Sequence, residues 1–201
     1  NMSIEASATF TVMEPETLGK LFSGELGPSM DFYIYSRHFN PTILNLSRQL
    51  AALEGTEAAY CTSSGMSAIS SVLLQLCDHG DHIVASSHLY GGTFALLSHF
   101  LPRTCGITTT FIDIFGEDAE AEIRAALPSA RVLYLESISN PTLSVADIPR
   151  LSAIAREVSA AQQKDRRRPI TVVVDNTFAP VILSPAHLGA DIVVHSISKY
   201  I

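Results

Sequence analysis

The chain has 201 residues, 47% of them hydrophobic, and a formal charge of −7, which suits one globular domain of ordinary or slightly larger size. The acidic balance argues against nucleic acid as the main partner, because backbone binding needs a basic face. Three cysteines (Cys61, Cys77, Cys105) without CxxC spacing argue against a disulfide framework, and no apolar run approaches the ~18 residues of a membrane span. The opening NMSIEASATF lacks the charged start and apolar stretch of a signal peptide, so a cytoplasmic protein is expected, with no membrane partner.

Residues 1–41 hold scattered glycines and prolines without sustained periodicity and read as an extended arm with short turns. TILNLSRQLAALEG (42–55) sets Ile43, Leu46, Leu50 and Leu53 on one helical face and ends at a glycine. EAAYCTS is a short apolar run read as a strand, and SGMSAISSVLLQLC is helical. DHIVAS and GITTTFID read as strands flanking a helix at YGGTFALLSHFL. EDAEAEIRAAL is a helix with acids in its first turn, and RVLYLES a strand. DIPRLSAIAREVSA is a helix with Pro149 near its start, and the basic run Lys164-Asp165-Arg166-Arg167-Arg168 reads as a solvated loop. ITVVVDN and DIVVHS close the series as strands. Near-continuous apolar runs mean strands covered on both faces, so the fold class is α/β, a mostly parallel sheet wrapped by helices.

Ligands of open α/β sheets sit at the carboxyl ends of the strands, and three of those ends carry chemistry. CTSSGMSAI puts Ser63, Ser64 and Gly65 at a helix start, where free N–H groups favour a phosphate but where small polar residues also serve as simple caps. VVVDNT ends a strand with Asp175, either a turn carboxylate or an anion held against a cationic nitrogen. VVHSISKY ends the next with Ser196, Ser198 and Lys199, a lysine that either reaches to solvent or, if desolvated, attacks carbonyls. Together an anion hole, hydroxyls beside a lysine, and a carboxylate one strand earlier suit a ligand with phosphate, aldehyde and basic ring nitrogen. Pyridoxal 5′-phosphate (PLP) has these three groups.

Six motifs stand in order: YSRHFNPT (35–42), SSGMSAI (63–69), LYGGT (89–93), ESISNPT (136–142), VVVDNTF (172–178) and SISKY (196–200). On them the chain resembles the trans-sulfuration (cystathionine γ-synthase/methionine γ-lyase) family of PLP-dependent enzymes along nearly its whole length. FTVMEPET, GELGP and YSRHFNPT look most like its plant-type methionine γ-lyases. The resemblance implies fold type I, the aspartate-aminotransferase-like PLP-dependent transferase fold. It assigns Lys199 as Schiff-base lysine and proton shuttle, Asp175 as partner of the pyridine nitrogen, and Tyr90 as the residue stacked on the ring. The Gly65 and Met66 backbone beside Ser64, with the Ser196 and Ser198 hydroxyls, would hold the phosphate, and Asn140 would stand near the ring hydroxyl. Tyr35 and Arg37 would reach across a dimer interface to the neighbouring subunit's phosphate, so the resemblance implies a homodimer or homotetramer. One position departs: bacterial members often carry a cysteine two residues after the stacking tyrosine, and here it is Gly92.

The expected activity is α,γ-elimination of L-methionine to methanethiol, 2-oxobutanoate and ammonia, with cystathionine γ-lyase or γ-synthase or O-acetylhomoserine sulfhydrylase as the alternatives. The expected organisation is an arm at 1–41 and an incomplete PLP-binding large domain at 42–201. In the family the sheet continues past the lysine and a small C-terminal domain grips the substrate carboxylate. The 201 residues therefore read as an N-terminal fragment, inactive alone or an interaction module. CDHGDH (77–82) has metal-like residues but sits at a helix-to-strand turn, at the end opposite the proposed site, and reads as a polar turn. His38 and His195 lie inside family motifs where another residue carries the chemistry, and Cys61 reads as core. Neither GxGxxG, a P-loop nor a GxSxG elbow occurs.

Overall fold

Apolar runs that alternate with amphipathic helices form one five-stranded sheet in the computed structural model, which describes residues 3–162 and 168–201. The strands are β1 (His82–Ser86), β2 (Thr108–Ile112), β3 (Val132–Glu136), β4 (Thr171–Asp175) and β5 (Ile192–Val194). Every pairing is parallel and the spatial order is β2-β1-β3-β4-β5. The helices are α1 (Pro15–Ser23), α2 (Pro41–Glu54), α3 (Gly65–Leu76), α4 (Gly91–Ala95), α5 (Ala119–Ala126) and α6 (Ile148–Gln162). The chain divides into two units, Asn1–Cys61 and Thr62–Ile201, and the whole sheet lies in the second.

Successive residues of a strand point to opposite faces, and both faces here are covered. Val84, Leu133, Leu135, Val172 and Val174 pack with Ile123 of α5 and Leu151 and Ile154 of α6. Ile83, Ala85, Val132, Tyr134, Val173 and Val194 pack on the other side with Ile69 and Leu73 of α3 and with Leu97 and Leu101. This two-sided cover is why the strands read as continuous apolar runs rather than as alternating ones.

Three segments differ from the sequence reading. Pro15–Ser23 is a helix within the expected irregular arm, with Pro15 in its first turn, Glu16 and Lys20 at the dipole-matched ends, and Gly24 closing it at φ 79°. A nine-residue helix with so short an apolar stripe leaves no sustained period in the sequence. EAAYCTS forms no strand: the polar Glu57, Thr62 and Ser63 leave only a four-residue apolar stretch, and Cys61 is half-buried, receiving a 3.4 Å contact from the Ser47 hydroxyl. The helix at YGGTFALLSHFL continues from α4 as a π-helix over Leu96–Cys105, with Pro102 inside it. In that register the residue-102 amide would face the Leu97 carbonyl, and proline has none to offer. The Thr109 hydroxyl donates to that buried carbonyl instead, at 3.3 Å.

The CDHGDH segment is the expected polar turn at the amino end of β1: Gly80 stands at φ 91°, the Asp81 carboxylate accepts from the Asp78 amide at 2.8 Å, and no metal-holding group of side chains exists among the described residues. Of the basic run, Lys164 to Arg167 lie outside the described residues. Arg168 pairs with Asp78 at 2.6 Å and Asp81 at 3.4 Å across the same turn. No helix among the described residues is long and apolar enough to cross a membrane.

Thr109→Val removes the hydroxyl that donates to the Leu97 carbonyl while keeping the side-chain shape. The expected cost is about 1–2 kcal/mol of stability, read as a lower urea midpoint with an unchanged slope.

Candidate active site at the carboxyl ends of the strands

In the Thr62–Ile201 unit the carboxyl ends of β1, β3, β4 and β5 and the start of α3 surround a cavity of about 220 Å³. Its walls include Ser64, Gly65, Met66, Tyr90, Asn140, Asp175, Ser196, Ser198 and Lys199. These residues come from five separated stretches of chain, and the structure brings them together. Tyr35 and Arg37 belong to the Asn1–Cys61 unit and do not line the cavity. Within that unit the Arg37 guanidinium lies over the Tyr35 ring, 4.8 Å from its centre.

The floor at α3 is built for close approach. Ser64 caps the helix, its hydroxyl accepting from the Ser67 amide at 3.0 Å, and this leaves the first amides of the helix, those of Gly65 and Met66, without an intrahelical partner. Ser64 is thus a cap, and Gly65 and Met66 beside it line the cavity. A Cβ at Gly65 would fall 2.7 Å from the Ser196 Cβ and 3.0 Å from its hydroxyl. Only glycine lets the helix start and the β5 loop meet. The Ser196 and Ser198 hydroxyls stand 3.3 Å apart, and the Lys199 ammonium donates to Ser196 at 3.2 Å. Lys199 is exposed, at the open side of the cavity.

Asp175 is fixed by residues that follow it. Its Oδ1 accepts from the Thr177 amide at 2.9 Å and the Thr177 hydroxyl at 2.6 Å, and that hydroxyl accepts from the Ser196 amide at 2.9 Å. Burial pushes the Asp175 carboxyl above its ordinary range; the Thr177 hydrogen bonds and the charges of His195 and Lys199 pull it back. Asn176, fully buried, braces the loop from below: its Oδ1 accepts from the Ser137 hydroxyl at 2.7 Å, and its Nδ2 donates to the Ala179 and Leu183 carbonyls.

Tyr90 is half exposed over the mouth (48%), and its ring occupies space that any side chain at residue 92 would claim. A Cβ on Gly92 would fall 2.5 Å from the ring edge, so a side chain there would need the Tyr90 ring to shift.

Sequence reasoning missed Glu136 and Thr177, both of which line the cavity. Glu136 closes the apolar run VLYLE just as Asp175 closes VVVD, so the signal that flagged one was present for the other. Thr177 follows Asp175 by two residues, the spacing at which a carboxylate bonds its own backbone. Glu136 is buried, and burial pushes its carboxyl up to about 7, against the amides of Tyr90 and Asn140, which lower it; Asp175 adds to the rise.

That shift has a stability consequence in the cofactor-free protein. Unfolded, Glu136 ionises near 4.5; folded, it keeps its proton to about 7. Its contribution is fully present below the lower value and is lost as the pH rises through the upper one, with a magnitude on the order of 2–3 kcal/mol. Glu136→Gln is expected to flatten the fall in melting temperature across that window, measured against wild type by thermal denaturation at a series of pH values.

The geometry agrees with comparisons to known proteins. A family model described as Cys/Met metabolism PLP-dependent enzyme matches residues 1–201. The chain is 68% identical over 203 residues to methionine gamma-lyase of Arabidopsis thaliana, covering 100% of this chain and 43% of that protein. It is 41% identical over 169 residues to O-acetyl-L-homoserine sulfhydrylase of Leptospira meyeri, covering 84% of this chain and 35% of that one. A crystal structure of an O-acetylhomoserine (thiol)-lyase from Campylobacter jejuni, containing a pyridoxyl-lysine phosphate, superposes with TM-score 0.83 at 30% identity, over 99% of this chain and 45% of its own. The chain thus spans less than half the length of these relatives. It has their α/β fold, and it belongs to the Cys/Met metabolism family of PLP-dependent enzymes.

Proposed function

We propose that this chain forms the cofactor-binding part of a PLP-dependent carbon–sulfur lyase that eliminates at the γ-carbon of L-methionine, giving methanethiol, 2-oxobutanoate and ammonia. The observation that carries the cofactor reading is the convergence of Asp175, Lys199 and the Gly65–Ser196 contact on one cavity. The choice of methionine rests on the 68% identity to the Arabidopsis methionine gamma-lyase.

The residues fit the cofactor. Gly65 and Met66 amides and the Ser196 and Ser198 hydroxyls are donors for a phosphate, at a helix start whose dipole favours an anion. Asp175, its oxygen already oriented by Thr177, would keep a proton on the ring nitrogen, and Tyr90 would cover the ring. Lys199 would hold the aldehyde carbon. When bound, PLP supplies an electron sink that stabilises negative charge beside the amino group. The chain's own work would then be proton management: the Lys199 amine would remove the substrate's α-proton and carry protons between Cα and Cβ. Asp175 would be the carboxylate that faces the ring nitrogen.

Tyr35 and Arg37, on the Asn1–Cys61 unit, would complete the phosphate site of a neighbouring subunit, which makes the working unit a homodimer or a homotetramer. The arm at 1–41 would serve that contact, with 42–201 supplying the cofactor domain. The absence of disulfides among the described cysteines supports a cytoplasmic location. A second reading, exchange of the γ-substituent on O-acetylhomoserine, is favoured by the Leptospira and Campylobacter similarities.

In the full-length enzyme, Lys199→Ala is expected to abolish both the yellow cofactor absorbance of the purified protein and methanethiol release from methionine. Gly65→Ala is expected to weaken PLP affinity about tenfold or more, because the added methyl overpacks the phosphate floor. Headspace detection of methanethiol, beside a parallel assay with O-acetylhomoserine and sulfide, separates the two readings. Turnover in the second assay alone replaces the lyase by the sulfhydrylase.

A further inference from the structure

Glu136 is 6% exposed, and no ion pair among the described residues involves it. Its register neighbour on β4 is another carboxylate, Asp175. A carboxylate in such a place is costly unless hydrogen bonds compensate it, and a residue serving only to fill space would be apolar. What Glu136 has instead is one backbone donor on each oxygen. Oε1 accepts from the Tyr90 amide at 2.6 Å, and Oε2 accepts from the Asn140 amide at 2.9 Å.

Those amides belong to segments that are otherwise separate. Tyr90 lies between β1 and α4, and Asn140 lies in the loop between β3 and α6. The second loop is stiff in its own right. Ser139 and Ser144 bond through backbone at 3.0 Å, the Leu143 amide donates to the Ser139 carbonyl at 2.8 Å, and Ile138 bridges Val145. The Tyr90 segment is held on its amino side by the Ser87 amide, which donates to the Ile112 carbonyl at 2.8 Å, and by the His88 amide, which donates to the Ser86 hydroxyl at 3.1 Å, while its ring is packed against Gly92 without a side chain between. A single planar carboxylate therefore ties the start of α4 to the loop after β3, and both segments line the same cavity.

We propose that Glu136 is a positioning residue: its carboxylate clamps the Tyr90 and Asn140 amides and so sets the spacing between the ring that covers the cofactor's face and the side chain at the cofactor's edge. The role rests on the reading of the cavity as a PLP site. It acts through Tyr90 and Asn140 and not by contact with reacting atoms.

Two readouts on the full-length protein under mildly alkaline conditions, where the carboxylate is ionised, test this. Amide hydrogen exchange of the cofactor-free protein examines the clamp itself. Glu136→Gln turns one acceptor into a donor that faces an N–H, and is expected to speed exchange at Tyr90 or Asn140 by roughly tenfold or more, with β3 and β4 protection unchanged. Glu136→Ala is expected to do so at both. PLP titration, with visible circular dichroism of the bound cofactor, examines positioning. The expected result is about tenfold weaker affinity and an altered dichroic band in Glu136→Gln. Unchanged exchange at both amides overturns the clamp, as does loss of protection spread evenly over the sheet. Faster exchange with unchanged affinity and dichroism overturns the positioning role. A wild-type protein with protected amides that takes up no PLP overturns the reading of the cavity, and the positioning role with it.

Discussion

The Asp175 carboxylate and its bond to Thr177 hold the site in register. At 2.6 Å the Thr177 hydroxyl donates to Asp175, and the same oxygen accepts the Ser196 amide, so one threonine joins the ends of β4 and β5. Through Ser196 the link continues to Gly65, where only a missing side chain permits contact, and to the Lys199 ammonium. A partly desolvated carboxyl group, a helix start with free amides and a primary amine are thereby held near one another before any ligand enters. Preorganisation of this kind is what lets charge stabilisation cost no rearrangement during a reaction.

Parallel topology makes the arrangement possible. All five strands end on the same side, so residues at the ends of β3 and β4 become neighbours, as Glu136 and Asp175 do. Helices on both faces leave the strand ends as the place where polar groups can gather without being sealed in. Two carboxylates side by side raise each other's proton affinity. The protein separates their surroundings: Asp175 is met by a hydroxyl, an amide and nearby cationic groups, Glu136 by two backbone amides. One is suited to face a cationic ring nitrogen, the other to hold loops.

Much of this was legible in the residues. Buried parallel strands announce themselves as unbroken apolar runs, and a charged or hydroxylic residue at the end of such a run is conspicuous, which is how Asp175 and Lys199 stood out. The α3 turn could be located as well, because Ser64-Gly65 precedes a long apolar helix. What the sequence withheld were contacts between segments distant along the chain. Glu136 gains its meaning only from amides 46 positions before it and 4 after it. Gly92 looked like a departure from a pattern until the Tyr90 ring was found in the space a Cβ would need. The α1 helix and the π-helical turn escaped for a different reason: nine residues are too few to establish a period, and the wider turn around Pro102 breaks the one a helix normally has. The strand expected at EAAYCTS failed because an apolar composition alone, without a neighbouring strand to pair with, does not make one.

The most direct measurement is borohydride reduction of the full-length protein after loading with PLP, followed by peptide mass spectrometry. A pyridoxyl phosphate group on the peptide that contains Lys199, and on no other, is the expected result. Labelling at a different lysine, or none at all, would contradict the cofactor role of Lys199 and with it the reading of the cavity that Asp175, Gly65 and Ser196 surround.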